Sequence, residues 1–237
     1  CIDEGAVSTE PFRQWIVEDN FAAGRPDWAG AGVQYVDDIL PYENVKLRLL
    51  NASHSAIAYC GLLAGRETVD EVMADGCLGG YVKQLMTNDL MPSLSVPGGF
   101  DVTAYRDDLL ARFRNPCLGH RCAQIAMDGS EKISQRWLPT LRTQAGDSLL
   151  LEVLAAWCYC VLRTELPLED PRRDELLGQR NSNAPLRERV DKLFQCLGLQ
   201  PADEPAFVNW LDQVGDAIAR LDQDGLAALL DRLPPTC

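Results

Sequence analysis

Two stretches of this chain leave the fold little choice. "NVKLRLLNASHSAIAYCGLLAG" and "GDSLLLEVLAAWCYCVLRT" carry apolar residues around almost their whole circumference when wound as helices. A helix without a solvent face has to be covered on every side by other elements. Neither stretch is long and uninterrupted enough to span a bilayer, which takes about 20 consecutive apolar residues. Both are therefore built for a protein interior, and 237 residues are enough chain to enclose one.

The rest of the chain supplies the covering helices. Residues 44–64 read as one long buried helix ending at Gly65, a residue suited to the left-handed position after a helix end. "TVDE", Thr68 to Glu71, has capping-box spacing and should open the next helix. "GGYVKQLMTNDLMPSL" continues as a helix that Pro92 should end, and "SVPGGFD" is loop chemistry. Asp101 to Phe113 reads as a further helix stopped at "RNP". After the second apolar stretch, residues 165–186 are polar and proline-containing and read as a long exposed connection. "LRERVDKLFQCLGL", "AFVNWLDQVGDAIARL" and "LAALLDRL" then show helical spacing. The best strand signal is "GVQYVDDI", Gly32 to Ile39, and no βαβ rhythm, GxGxxG or P-loop occurs. The expected fold is mainly α with few short strands.

Charge and cysteine usage exclude two classes of partner. The formal net charge is −13, from 35 acids against 22 scattered bases. Such a surface repels a phosphate backbone, so no nucleic-acid partner is expected. The nine cysteines form no CxxC pair, and they read as buried free thiols in a reducing cytoplasm. With only two histidines far apart in sequence there is no usual zinc ligand set, and no metal is expected.

The first apolar stretch nevertheless keeps Lys46, Asn51 and His54 close together. On a regular α-helical wheel at roughly 100° per residue, Asn51 falls near 140° and His54 near 80° from Lys46, with Leu50 between them near 40°. Full burial of this helix would desolvate the lysine ammonium, lower its pKa and populate the neutral amine. A neutral amine takes a proton from an alcohol as a general base. Asn51 can donate its amide N–H to the oxygen that gains charge, and His54 can hydrogen-bond a hydroxyl. The plain alternative is a lysine that snorkels to solvent beside a satisfied asparagine and histidine.

"KLRLLNASHSAIAY" resembles the signature helix of the long-chain mannitol dehydrogenase family, which includes polyol dehydrogenases and fructuronate reductases (mannonate oxidoreductases). The pattern is Lys, four residues, Asn, two residues, His, filled here by Lys46, Asn51 and His54. "EPFRQWIVEDNFAAGRPDW" and "GVQYVDDILPYE" resemble the segment leading into that helix, and "RFRNPCLGHRCAQIAMDGSEKISQRWLP" resembles a second family block that lines the substrate pocket. The likeness runs from about Glu10 to about Pro139, and the helical tail fits the family's C-terminal domain more loosely.

The resemblance implies a multi-helical C-terminal domain of a two-domain dehydrogenase. Lys46 would be the general base in oxidation and the acid in reduction, Asn51 one side of an oxyanion pocket, and His54 a substrate-holding residue. Lys132, in "DGSEK", matches a family lysine near the substrate. Gln124 stands where the mannitol-specific branch has an arginine, so the resemblance leaves open which polyol or sugar acid is used. Arg121 could meet a sugar-acid carboxylate, since guanidinium suits bidentate pairing. NAD or NADP would be bound by an N-terminal Rossmann domain that this chain lacks, leaving the chain alone inactive or nearly so. By this layout residues 1–43 lead in from the domain junction, 44–164 form the catalytic helical core, and 165–237 hold the polar connection and last helices. The alternative is a helical interaction or assembly domain that retains the fold without chemistry.

Overall fold

In the computed structural model, which describes residues 5, 12–144, 146 and 148–230, the first apolar stretch is helical throughout but is not one α-helix. After two short strands, β1 (Trp15–Glu18) and β2 (Val33–Val36), it runs as α1 (Leu40–Val45), a π-helical turn (Lys46–Asn51) and α2 (Ala52–Leu63). The helix starts earlier than residue 44 because Pro41 sits in its first turn, where a missing N–H costs nothing. It ends as expected at Gly65, whose φ of 65° is the left-handed value.

The capping box forms as its spacing requires: Glu71 accepts from the Thr68 backbone N–H at 3.3 Å at the start of α3 (Val69–Ala74). Asp75 then caps α4 (Gly76–Leu85), which passes through a second π-helical turn (Met86–Leu90) and a short 3-10 turn containing Pro92. Asp101 caps α5 (Val102–Phe113). Short helices α6 (Cys122–Ile125), α7 (Gly129–Arg136) and α8 (Leu138–Leu141) follow. The second apolar stretch is α9 (Leu149–Arg163), buried along nearly its whole length and capped by Ser148. Buried Asp89 from the second π turn accepts from Ser148 Oγ at 2.6 Å and from Leu150 N at 2.8 Å, tying this helix start to the core. Helix α2 packs on one side of α9, and α12 (Phe207–Asp224) packs on another after α10 (Arg173–Arg180) and α11 (Leu186–Cys196); α13 (Ala227–Leu230) follows. Arg220 of α12 donates to both carboxylate oxygens of buried Glu152 on α9.

Two expectations are corrected. The 165–186 segment is not a bare connection, because it contains α10 with Leu176 buried. Backbone carbonyls in and around it are taken up by arginines: Arg180 donates to the carbonyls of Val161, Cys160 and Leu166, and buried Arg189 of the following helix donates to Gln179, Arg180 and Leu162. These guanidinium groups satisfy carbonyls that helix ends leave without partners. Second, Lys46 is exposed, so α1 and the π turn are not buried on all sides. The first strand, β1, pairs in parallel with β2, with Trp15 stacked on Trp28 at 5.5 Å. Cys60, Cys122, Cys158, Cys160 and Cys196 are buried free thiols, whereas Cys117 is exposed and Cys77 is partly buried. Burial raises the Cys60 thiol pKa to about 12, leaving it unreactive as a nucleophile. Cys1, Cys237 and the start of the lead-in segment lie outside the described residues. No helix of the described residues is long and apolar enough to cross a membrane.

Candidate functional site

The π turn changes the geometry drawn on a regular wheel. Its i→i+5 bonding, seen where Ala52 N–H donates to Leu47 O, brings residues five apart toward the same side of the helix. Asn51 is the last residue of this turn, and His54 lies in the first turn of α2 just beyond it.

Opposite them stands the segment 120–136, placed by backbone bonds to the capping-box loop. Val69 N–H donates to His120 O at 3.0 Å, Cys122 N–H donates to Glu67 O at 2.9 Å, and Thr68 bridges Arg121. The chain then turns into α7 through Asp128, a non-glycine residue at φ 55°. The turn is held from the 165–186 segment. Asp128 N–H donates to Glu169 O at 2.8 Å, and Asp170 accepts from Ser130 N at 2.8 Å and Ser130 Oγ at 2.6 Å. A carboxylate at a helix N-terminus meets unpaired N–H groups and the positive end of the dipole.

Together these elements form an open cleft of about 300 Å³, lined by Asn51, His54, His120, Arg121, Gln124, Ile125, Lys132 and Arg136. Four of the five site residues named from sequence, Asn51, His54, Gln124 and Lys132, line this one cleft, and so does Arg121. Lys46 is not among the lining residues and stands exposed at the start of the π turn. The burial on which its basicity would depend is therefore not supplied by the described residues. Lys132 Nζ contacts Asp128 at 3.5 Å and Ile125 O at 3.4 Å. The lining carries the basic side chains Arg121, Lys132 and Arg136 and no carboxylate, in a chain of net charge −13. A separate cavity of about 120 Å³ behind α6 is mostly apolar, with Tyr59, Leu62, Trp157 and Leu176 in its wall, and suits a polyhydroxylated ligand poorly.

His54 stacks on Phe113 at 5.1 Å and meets the edge of His120 at 5.4 Å. Desolvation first, then the positive charges of His120, Arg136 and Arg112, push its pKa down to about 4. It is therefore a neutral imidazole near pH 7, and its Nε2 is buried without a partner among the described residues. The folded state resists a proton that the unfolded chain takes up near pH 6.5. His54 thus favours the fold fully above about pH 6.5, and that contribution is lost as the pH falls toward 4. Urea unfolding from pH 7 to 4 should show a destabilisation of about 3 kcal/mol that is missing from His54→Gln. Identical pH slopes for the two proteins would contradict this.

His120 and Arg136 were not named individually from sequence, although both fall inside the block likened to a family segment that lines the substrate pocket. Arg136 lies one helical turn after Lys132, and that i, i+4 spacing was the available signal; nothing local marks His120. Among the described residues no group of three or more His, Cys, Asp or Glu side chains is placed to hold a metal ion. Nor do they offer a dinucleotide cradle. The β1–β2 pair is followed by Asp37 and Asp38 ahead of α1, where a pyrophosphate site needs glycines and free N–H groups.

A family model described as "Mannitol dehydrogenase C-terminal domain" matches residues 38–197. The uncharacterized oxidoreductase YeiQ of Escherichia coli (strain K12) is 39% identical over 230 residues, covering 92% of this chain and 47% of that protein. D-mannonate oxidoreductase of the same organism is 49% identical over 140 residues, 59% of this chain and 29% of its own length. Among solved structures, the Pseudomonas fluorescens mannitol 2-dehydrogenase ternary complex with NAD and D-mannitol superposes with a TM-score of 0.82 at 30% identity, covering 94% of this chain and 46% of that one. The chain thus spans less than half the length of these relatives.

Proposed function

Because the chain belongs to the mannitol dehydrogenase family, as the C-terminal domain of these polyol and sugar-acid oxidoreductases, we propose that it is the substrate-binding and catalytic domain of an NAD(P)-dependent dehydrogenase. The reaction is interconversion of a secondary alcohol and a ketone on a polyol or sugar acid. The observation that carries this reading is the meeting of Asn51 and His54 with Gln124 and Lys132, some 70 residues later in the chain, in one open cleft.

In this reading NAD or NADP is held by an N-terminal nucleotide-binding domain, and the steps assigned to this chain concern the substrate and its proton. Lys46 accepts the hydroxyl proton during oxidation and returns it during reduction. Asn51 donates its side-chain N–H to the oxygen as charge develops there. His54, neutral, hydrogen-bonds a neighbouring hydroxyl through its unpartnered Nε2. Gln124 and Lys132 take the more distant hydroxyls. Since Lys46 is exposed in this chain, the water exclusion that makes an amine an effective base comes from the nucleotide domain closing over it. The buried free thiols suit a cytoplasmic setting.

Of the two substrate classes, the charge of the cleft favours a sugar acid, with Arg121 as the carboxylate partner. In the protein carrying both domains, Arg121→Ala should lower kcat/KM for fructuronate at least about tenfold more than for mannitol, the loss expected for a charge-assisted pair. Equal losses on both substrates would remove the carboxylate role. The reading as a whole is tested by nicotinamide-linked turnover of the two-domain protein on mannitol, other polyols and fructuronate. Absence of turnover on all of them would favour the helical interaction or assembly domain instead.

A further inference from the structure

The junction between the π turn and α2 receives side-chain donors from two consecutive residues of another part of the chain. Arg136, the last residue of α7, directs Nη1 to Ser55 Oγ at 2.7 Å and to Asn51 O at 3.3 Å. The next residue, Trp137, donates Nε1 to Ala52 O at 3.1 Å and is fully buried. Two successive backbone carbonyls, Asn51 and Ala52, therefore each accept a bond from outside their own helix. A π turn shifts the backbone ladder by one residue relative to the α-helix that follows. The carbonyls at such a junction are where the regular pattern is broken and extra donors are accommodated.

Arg136 occupies this position at a cost. Its guanidinium is partly withdrawn from water, and the acceptors it meets there are a carbonyl and a buried hydroxyl. Ser55 is itself almost entirely buried, on the face of α2 next to Asn51. The same helix α7 carries Lys132 into the cleft one turn earlier. A single rigid element thus presents Lys132 to the cleft and grips the backbone of Asn51.

Resting on the dehydrogenase reading, we propose that Arg136 is a positioning residue. It sets the orientation of Asn51 by clamping the Asn51 carbonyl and Ser55 hydroxyl together, and it keeps the π turn in register with α7. Its main effect is on the reacting oxygen's donor, because the clamp acts through the Asn51 backbone, and its place in the cleft wall adds a smaller effect on substrate capture. Losing the clamp lets the Asn51 amide drift, and a misplacement of about 1 Å can cost on the order of 100-fold in rate. Ser55 and Arg136 act as one unit, so their losses should not multiply.

The test uses the protein with both domains and four forms: parent, Ser55→Ala, Arg136→Gln and the double variant. We expect kcat to fall about 10- to 100-fold in Arg136→Gln and somewhat less in Ser55→Ala, with KM changed less than kcat and the double variant no worse than Arg136→Gln. Arg136→Lys, which keeps the charge but loses the planar fork, should recover only part of kcat. Hydrogen exchange of residues 46–56 provides a readout that does not need activity: it should quicken in Arg136→Gln. Unchanged exchange in that segment overturns the clamp even if no substrate is turned over. So does faster exchange with an unaltered kcat in an active parent, or multiplicative losses in the double variant. A parent without turnover but with the expected exchange change would instead count against the dehydrogenase reading and leave the clamp supported.

Discussion

Replacing Lys46 with alanine should reduce turnover of the two-domain protein by about 10²- to 10⁴-fold, the range that a positioned acid–base group contributes. Lys46 does not line the cleft, whose walls are Asn51, His54 and the residues of 120–136, so KM for the substrate should change far less than kcat. Lys46→Arg should be nearly as inactive as the alanine variant. A guanidinium keeps its proton at any workable pH and cannot receive one from an alcohol. The assay is steady-state nicotinamide turnover over a range of substrate concentrations. A Lys46→Ala protein as fast as its parent would reduce the lysine to a solvated residue at the end of α1, in keeping with its exposure in this chain. The general-base assignment would then be wrong even if the cleft still binds substrate.

The second large effect is on stability, and it falls on the hinge between core and cleft. Gly129 opens α7 against the buried faces of α2 and α9. A methyl group there would collide with Tyr59 Oη and lie 2.9 Å from Trp157 Nε1. Tyr59 cannot easily retreat, because its hydroxyl donates to Ala126 O at 3.0 Å and its ring meets the buried Trp137 edge-on. Gly129→Ala should therefore destabilise the fold by about 2–4 kcal/mol, combining overpacking with a weakened buried hydrogen bond. That corresponds to a fall in Tm of about 5–15 °C for a domain of this size. Gly178, in the middle of α10 with open space where a Cβ would go, is the control. There alanine should be neutral or stabilise by up to about 1 kcal/mol through the unfolded chain. If thermal melts rank the two substitutions equally, the packing argument around Gly129 fails.

Much of the helical framework was legible because its signals are local. The Thr68–Glu71 box, Asp101 before α5, and the glycine after α2 act on backbone groups within a few residues of themselves. Helix α10 escaped notice for the opposite reason. Its short sequence, "RDELLGQR", has only one fully buried apolar residue, Leu176, and its ends are held by Arg180 and Arg189 bonding to carbonyls of α9 and the chain after it. Lys46 was misjudged on similar grounds. The apolar residues around it predict burial only if neighbouring elements cover every face, and the face carrying Lys46 has no cover within the described residues.

The chain's own pattern determined that it would be mainly helical with two apolar helices at its centre, and that Lys46, Asn51 and His54 would lie on one helical segment. Those properties follow from hydrophobic period and residue spacing, which a linear sequence contains in full. Tertiary structure alone decided that the segment would pass through a π turn, that its lysine would face outward, and that Lys132 and Arg136 would face Asn51 from α7. The contacts responsible join Arg48 to Ser93 across 45 positions and Arg136 to Asn51 across 85. Each is a side-chain donor meeting a backbone carbonyl, a pairing set by how the helices pack and by no periodicity in the sequence.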